Sequence, residues 1–146
     1  MGRGRVAKRL LIDINVLISF ATDRNLQQQK QAQRVFEEAS QLKRIVYCPS
    51  YVLTEFVYVL EKVYLVDIKL VRDMVHEFVS MPGVRILYQL DVKKLLTYWP
   101  GIVPDCGDAI VLASWEEVKR EKVAIFTFDK KFLGVLKKLQ VPVWEH

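Results

Sequence analysis

The chain has 146 residues, a net charge of +5 and two cysteines. This length predicts one domain with its own core, which we divide into a basic N-terminal arm at residues 1–9 and a folded domain at residues 10–146. The cysteines lack CxxC spacing and no apolar run reaches the ~20 residues of a membrane helix, so we exclude a disulfide scaffold, a structural zinc site and a membrane protein, and expect a cytoplasmic location.

Apolar runs alternate with segments of helical periodicity along the chain. Short continuous runs are typical of strands buried on both faces, whereas apolar residues at 3.6-residue spacing indicate helices. In chain order we predict a strand at 9–12, helices at 25–42 and 50–63 on either side of a strand at 44–48, a helix at 67–79, a strand at 84–88, helices at 91–98 and 108–119, a strand at 123–127, a helix at 129–139 and a strand at 141–144. This alternation predicts a three-layer α/β/α domain with a central parallel sheet.

Acids interrupt four of the most apolar stretches. Asp13 lies in LLIDINVLISFA, Glu55 in IVYCPSYVLTEFVYVL, Asp105 and Asp108 in GIVPDCGDAIVLASW, and Asp129 in VAIFTFDKKF. An isolated carboxylate in apolar surroundings is costly to ionise unless a partner replaces its lost hydration. The acids follow predicted strands or fall in the first turns of predicted helices, so the fold can gather them at the carboxyl edge of the sheet around one divalent cation.

The chemistry of such a cluster is restricted by what surrounds it. Mg²⁺ and Mn²⁺ prefer oxygen ligands, and the only two histidines are His76 and His146. A histidine base or a histidine-bound zinc is therefore hard to assemble. Metal-activated water remains as the nucleophile, and the positive net charge suits a polyanion, so the pattern favours phosphodiester hydrolysis. A lysine-rich surface that serves only solubility is the alternative explanation of the charge.

Each acid also has an explanation that needs no metal. Asp13, Asp108 and Asp129 sit near predicted helix starts, where an aspartate can cap the helix. Glu55 is different, because it is the only charge between Ile45 and Leu60 and lies five residues past Ser50, which we expect to be the N-cap. Capping therefore does not account for Glu55.

Further polar and aromatic residues lie beside these acids. We expect Asp105 to belong to a loop or to support the site, and Asn15 and Thr127 either to satisfy local backbone groups or to orient Asp13 and Asp129. Trp99 is either a core residue or an exposed ring that stacks on a base.

Four motifs in this order resemble those of PIN-domain ribonucleases: LIDINVLISF, PSYVLTEFVYVL, DCGDAIVLA and IFTFDKKF. The resemblance runs from about Leu11 to the C-terminus. It implies an acidic metal site of Asp13, Glu55, Asp108 and Asp129, supported by Asn15 and Thr127. The residue after the first acid is often Thr or Ser in the family but is Ile14 here, which leaves one hydroxyl fewer near the site.

The small size of the chain is similar to that of VapC-type toxins of toxin-antitoxin pairs. This resemblance implies RNA cleavage with Mg²⁺ or Mn²⁺, an antitoxin partner that binds the groove leading to the acids, and a homodimer. A stand-alone PIN protein that processes RNA as housekeeping is an alternative.

Two other classes of protein compete with a ribonuclease. Asp13-Ile14-Asn15 faintly resembles the DxD loop of haloacid-dehalogenase-like phosphatases, but Asn15 replaces the second Asp that such an enzyme needs as acid and base. A catalytically inactive module that binds RNA or an antitoxin is the non-enzymatic alternative. The complete set of acids favours an active nuclease over both.

Overall fold

The computed structural model describes residues 8–145, which form seven α-helices and one four-stranded sheet. The elements are β1 (Arg9–Ile12), α1 (Ile14–Ala21), α2 (Leu26–Ser40), β2 (Ile45–Pro49), α3 (Ser50–Lys62), α4 (Ile68–Val79), β3 (Val84–Leu87), α5 (Val92–Tyr98), α6 (Cys106–Val118), a 3₁₀ turn (Lys119–Glu121), β4 (Val123–Phe126) and α7 (Lys130–Lys138). The predicted arm at residues 1–9 lies outside the described residues except for Lys8 and Arg9, and Arg9 belongs to β1.

The sheet has the order β3-β2-β1-β4, and every pairing in it is parallel. Leu10 of β1 is in register with Val46 of β2 on one side and with Ala124 of β4 on the other. Strand β4 is buried along its whole length and β1 everywhere except at Arg9. The prediction of an α/β fold with a central parallel sheet is confirmed, and the carboxyl ends of all four strands meet at one edge.

Helices cover the sheet and form its outer layers. Helix α1 contacts α2 and α3, and α3 contacts α4, while α6 packs on β1, β4 and α5. Edge-to-face stacking of Phe36 with Phe20 and with Phe78 joins α1, α2 and α4. None of the helices within residues 8–145 is both long and apolar enough to cross a lipid bilayer.

Gly83 allows β3 to begin directly against the end of α2. Its backbone N–H donates to the carbonyl of Ala39 at 2.9 Å. A Cβ atom at this position would lie only 2.3 Å from the carbonyl oxygen of Arg44. Only glycine permits this approach, so the residue is a packing requirement of the sheet edge.

Two segments differ from the predicted elements. The run after Asp13 forms helix α1, which was not predicted, because six of its eight residues are apolar and so short an apolar run does not distinguish a helix from a strand. The strand predicted at 141–144 is wrong: these residues form only an isolated bridge between Val143 and Ile125. Pro142 lacks the N–H that a regular ladder would use.

The starts of α3 and α6 also differ from those predicted. Ser50 does not cap α3; it is the first helical residue, and Pro49 occupies the N-cap position without a side-chain bond. Helix α6 begins at Cys106 rather than at Asp108, and Asp105 is its N-cap. The side chain of Asp105 accepts a hydrogen bond from the backbone N–H of Asp108, three residues later, which is the spacing of an N-cap bond.

Candidate active site

Six of the seven predicted site residues line one cavity of about 340 Å³ at the carboxyl edge of the sheet. The cavity lies where the ends of β1 and β4 meet the first turns of α3 and α6. Its lining includes Asp13, Asn15, Glu55, Asp105, Asp108 and Asp129. Thr127, the seventh, is buried behind them. The fold thus brings together acids that are up to 116 positions apart, from Asp13 to Asp129.

Asp13 is the most buried of these acids, with only 2% of its surface exposed. It occupies the N-cap position of α1 but makes no side-chain capping bond, so the capping explanation is wrong for this residue. Its Oδ2 accepts a hydrogen bond from the hydroxyl of Thr127. Its Oδ1 has no partner, and within residues 8–145 no other fully buried side-chain oxygen or nitrogen is left unpaired.

Two side-chain hydrogen bonds connect the end of β1 to the residues that follow β4, and a third lies within those residues. The Thr127 hydroxyl donates to Asp13 and accepts from the backbone N–H of Asp129 at 3.1 Å. The side-chain oxygen of Asn15 accepts from the backbone N–H of Phe128 at 3.0 Å. Asn15 and Thr127 therefore both satisfy backbone groups and hold the two strand ends together, so the two alternatives predicted for them coexist.

Asp129 and Asp105 act as helix caps while lining the cavity. The Oδ1 atom of Asp129 accepts from the backbone N–H groups of Lys131 and Phe132 at 2.9 and 3.2 Å. Asp105 accepts from the backbone N–H of Asp108 at 2.9 Å. Capping and a place in the cavity are thus compatible, since the cap occupies one carboxylate oxygen and leaves the other available.

Burial and mutual repulsion raise the pKa values of two acids in the cavity. Burial, reinforced by Asp108 and Asp129, raises the pKa of Asp13 to about 7, although the Thr127 hydroxyl acts in the opposite direction. Burial and the neighbouring charges of Asp105, Asp129 and Glu55 raise the pKa of Asp108 to about 7. These carboxylates resist ionisation unless positive charge is added nearby.

Glu55 enters the cavity from α3 together with a residue that the sequence analysis did not select. Partial burial and the charge of Asp105 raise the pKa of Glu55, while the hydroxyl of Tyr51 lowers it. Tyr51 precedes Glu55 by four residues on the same helix, so this pairing is visible in the sequence as an i, i+4 spacing. Cys106 and Gly107 also line the cavity.

Gly107 is the second position where the lack of a side chain matters. A Cβ atom there would lie 3.1 Å from Oδ1 of Asp105 and 3.6 Å from the ring of Tyr51. A Cβ atom would therefore press on the carboxylate of Asp105 but make only an ordinary contact with Tyr51.

The donor set fits a hard divalent cation. Asp13 offers a buried oxygen without a partner, and the acids around it repel one another. Among residues 8–145 no three His, Cys, Asp or Glu side chains are already arranged to hold a metal ion. Like-charged carboxylates stay apart until a cation neutralises them, and carboxylate oxygens are the ligands that Mg²⁺ and Mn²⁺ prefer.

A wider depression of about 550 Å³ lies on another part of the surface. It is lined by Ser40, Asp73, His76, Glu77, Ser80 and Met81. None of the seven predicted site residues belongs to it. His76 therefore does not line the acidic cavity.

Replacing Thr127 by Val should lower the free energy of unfolding by about 1–3 kcal/mol, because the change leaves a buried carboxylate oxygen and the N–H of Asp129 without their shared partner. It should also raise the pKa of Asp13 further. Urea unfolding and NMR titration of the Asp13 carboxyl carbon measure the two effects. Thr127→Ser retains the hydroxyl and should keep the wild-type pKa; a pKa unchanged in Thr127→Val would contradict the assigned hydrogen bond.

Comparison with known proteins adds no assignment to this geometry. No protein-family model matches the chain, and no curated protein matches it.

Proposed function

We propose that the protein is a metal-dependent ribonuclease of the PIN-domain type, which hydrolyses RNA phosphodiester bonds at the cavity lined by Asp13, Glu55, Asp108 and Asp129. The observation that carries the proposal is the buried, unpartnered Oδ1 of Asp13 in a cavity whose other walls bear four further carboxylates. An arrangement this repulsive is stabilised most directly by a divalent cation.

Each residue of the cavity has a role in this proposal. Mg²⁺ or Mn²⁺ would be held, directly or through water, by Asp13, Glu55, Asp108 and Asp129. Thr127 and Asn15 hold the ends of β1 and β4 in position through their hydrogen bonds. When bound, the cation would supply positive charge that activates water and stabilises the leaving oxygen of a phosphodiester.

The chain also carries groups suited to a polyanionic substrate. Lys130 and Lys131 are exposed and directly follow Asp129 at the start of α7. They can pair with RNA phosphates on either side of the bond to be cleaved, and this binding is expected to weaken with salt. The net charge of +5 favours the same class of substrate.

The arrangement of Asn15 counts against the phosphatase alternative. Its side-chain oxygen accepts the N–H of Phe128, so the group that stands at the acid/base position of a DxD loop is engaged with the backbone. The carboxylates of Asp105, Asp108 and Glu55 around the cavity are also unfavourable for a phosphoaspartyl intermediate.

A toxin role, with a cognate antitoxin and a homodimer, is the finer part of the proposal and is supported by the motif resemblance. The turn between α3 and α4 exposes several apolar side chains, including Val63, Leu65 and Ile68, of which Leu65 is 81% exposed. Exposed apolar patches of this kind favour a protein partner.

The experiment compares cleavage of single-stranded and structured RNAs by the wild type and by Asp108→Asn in the presence of Mn²⁺. The variant should lose at least about a hundredfold in cleavage rate, because it removes a carboxylate from the proposed metal site. A chelator should abolish wild-type activity, and added Mn²⁺ should restore it.

Asp73→Asn is the matched control, since it removes one carboxylate from the exposed face of α4, where Asp73 pairs with Arg72. It should cleave as the wild type does. Cleavage that survives complete chelation, or that is equal in Asp108→Asn and Asp73→Asn, would refute the proposed site. Inactivity of the wild type across the RNA panel would favour the inactive binding module.

A further inference from the structure

A second cavity, of about 180 Å³, adjoins the acidic cavity at Tyr51, which lines both. It lies between the end of β3, the first turns of α3 and one face of α6. Its lining includes Tyr51, Leu87, Tyr88, Gln89, Leu90 and Ile110. Because Tyr51 belongs to both linings, a ligand in one cavity contacts the wall of the other.

Tyr88 is the most exposed aromatic side chain of the second cavity. It is 80% exposed and directly follows β3, whose carboxyl end points to the same edge as the ends of β1 and β4. Tyr51, which also lines this cavity, is 39% exposed. The two aromatic rings therefore remain accessible and offer flat surfaces for stacking.

The lining and the volume of the second cavity indicate which kind of ligand fits it. Its lining residues include no Lys, Arg, Asp or Glu, so it is unsuited to a phosphate or a metal ion. Its volume is below the ~300–1,000 Å³ typical of pockets for drug-sized ligands, and a single planar ring system is a better match. Gln89 adds an amide that can both donate to and accept from the edge of such a ring.

We propose that this cavity binds one nucleobase of a single-stranded RNA, stacked on Tyr88 and bounded by Tyr51, while the adjoining phosphodiester lies in the acidic cavity. The inference rests on the proposed ribonuclease function and names its substrate as unpaired RNA. A base within a duplex is stacked on its neighbours and cannot enter a side cavity without being unstacked. Stacking on an aromatic ring accepts every base, whereas hydrogen bonds from the side-chain amide of Gln89 can favour one base over another.

Trp99, the aromatic residue that the sequence analysis considered for stacking, is placed differently. Its indole N–H donates to the carbonyl of Pro104 at 3.1 Å, and its ring packs against the core. It does not line either cavity. Tyr88 is the residue that the structure offers instead.

The test uses short single-stranded RNAs that are identical except for the position of a single 2-aminopurine, whose fluorescence is quenched by stacking. Binding is measured with Mn²⁺ in the Asp108→Asn protein, so that the RNA stays intact. At one position the fluorescence should be quenched on binding. Adding Tyr88→Ala should remove this quenching and weaken binding by about tenfold or more, whereas Tyr88→Phe, which keeps the ring, should retain both.

Tyr64→Ala is the matched control, because Tyr64 is also 39% exposed but lies past the end of α3, about 20 Å along the helix from Tyr51. It should leave the quenching unchanged. Equal quenching in Tyr88→Ala and Tyr88→Phe would overturn the inference. Cleavage of the same RNAs by the wild type is measured separately: its absence refutes the ribonuclease proposal, whereas cleavage without any role for Tyr88 refutes only the base-binding cavity.

Discussion

Asp13→Asn should abolish RNA cleavage and at the same time stabilise the metal-free protein. Loss of the charge at the most buried position of the cavity should lower the cleavage rate by about a thousandfold or more. The free energy of unfolding at pH 8 should rise by up to about 4 kcal/mol, because burying an ionised carboxylate with a pKa near 7 has a cost that a neutral amide does not have. Cleavage kinetics and urea unfolding in chelator measure the two effects.

The expected loss of activity together with a gain in stability distinguishes this prediction from a simple loss of folding. A variant that loses activity because it unfolds would also lose stability. Asp73→Asn, at the exposed surface of α4, should change neither quantity. Full activity in Asp13→Asn would remove Asp13 from the proposed site, and a loss of stability would show that its charge is already balanced by a group of the protein.

The metal-free protein should become less stable as the pH rises from about 4 to about 7. The pKa of Asp13 is about 7 in the folded protein against 3.8 for an unperturbed aspartate side chain, so between these values the folded state binds a proton that the unfolded state releases. The stabilising effect is complete below pH ~4 and is lost as the pH passes the folded pKa, by an amount on the order of 4 kcal/mol. Asp108 titrates in the same range and is coupled to Asp13, so the two losses do not simply add.

Urea unfolding in chelator across this pH range measures the slope. Asp13→Asn should remove its largest part, and Asp73→Asn should keep it. Added Mn²⁺ should restore stability above pH 7, where the carboxylates are ionised and available to a cation. A stability that is flat or rises between pH 4 and pH 7 would contradict the electrostatic description of the cavity.

The sheet and its acids could be predicted from the sequence because both are local patterns. Continuous apolar runs identified β1 and β4, and an acid shortly after each run placed Asp13 and Asp129 at the same edge. Glu55 was detectable because it is the only charged residue between Ile45 and Leu60. What these signals have in common is a charged residue within a largely apolar stretch of sequence.

Other parts of the structure depend on tertiary packing and left weaker traces. Six of the eight residues of helix α1 are apolar, so its composition does not distinguish it from a strand. Thr127 was predicted to satisfy backbone groups or to orient Asp13 and Asp129, and only the fold shows that its hydroxyl donates to Asp13 and accepts from the N–H of Asp129. Tyr88 is exposed because no other part of the fold covers it, and the periodicity of the sequence does not predict which residues remain uncovered.

The pairing of β1 with β4 has a consequence for the order of events during translation. Asp13 is made early, but the hydroxyl that holds it belongs to a residue 114 positions later. A nascent chain that ends before Val123 lacks both the neighbouring strand and the last acid, so it cannot assemble the cavity. Under the proposed ribonuclease function, a copy whose synthesis has not yet passed Asp129 is expected to be inert beside the messenger RNA from which it is being read.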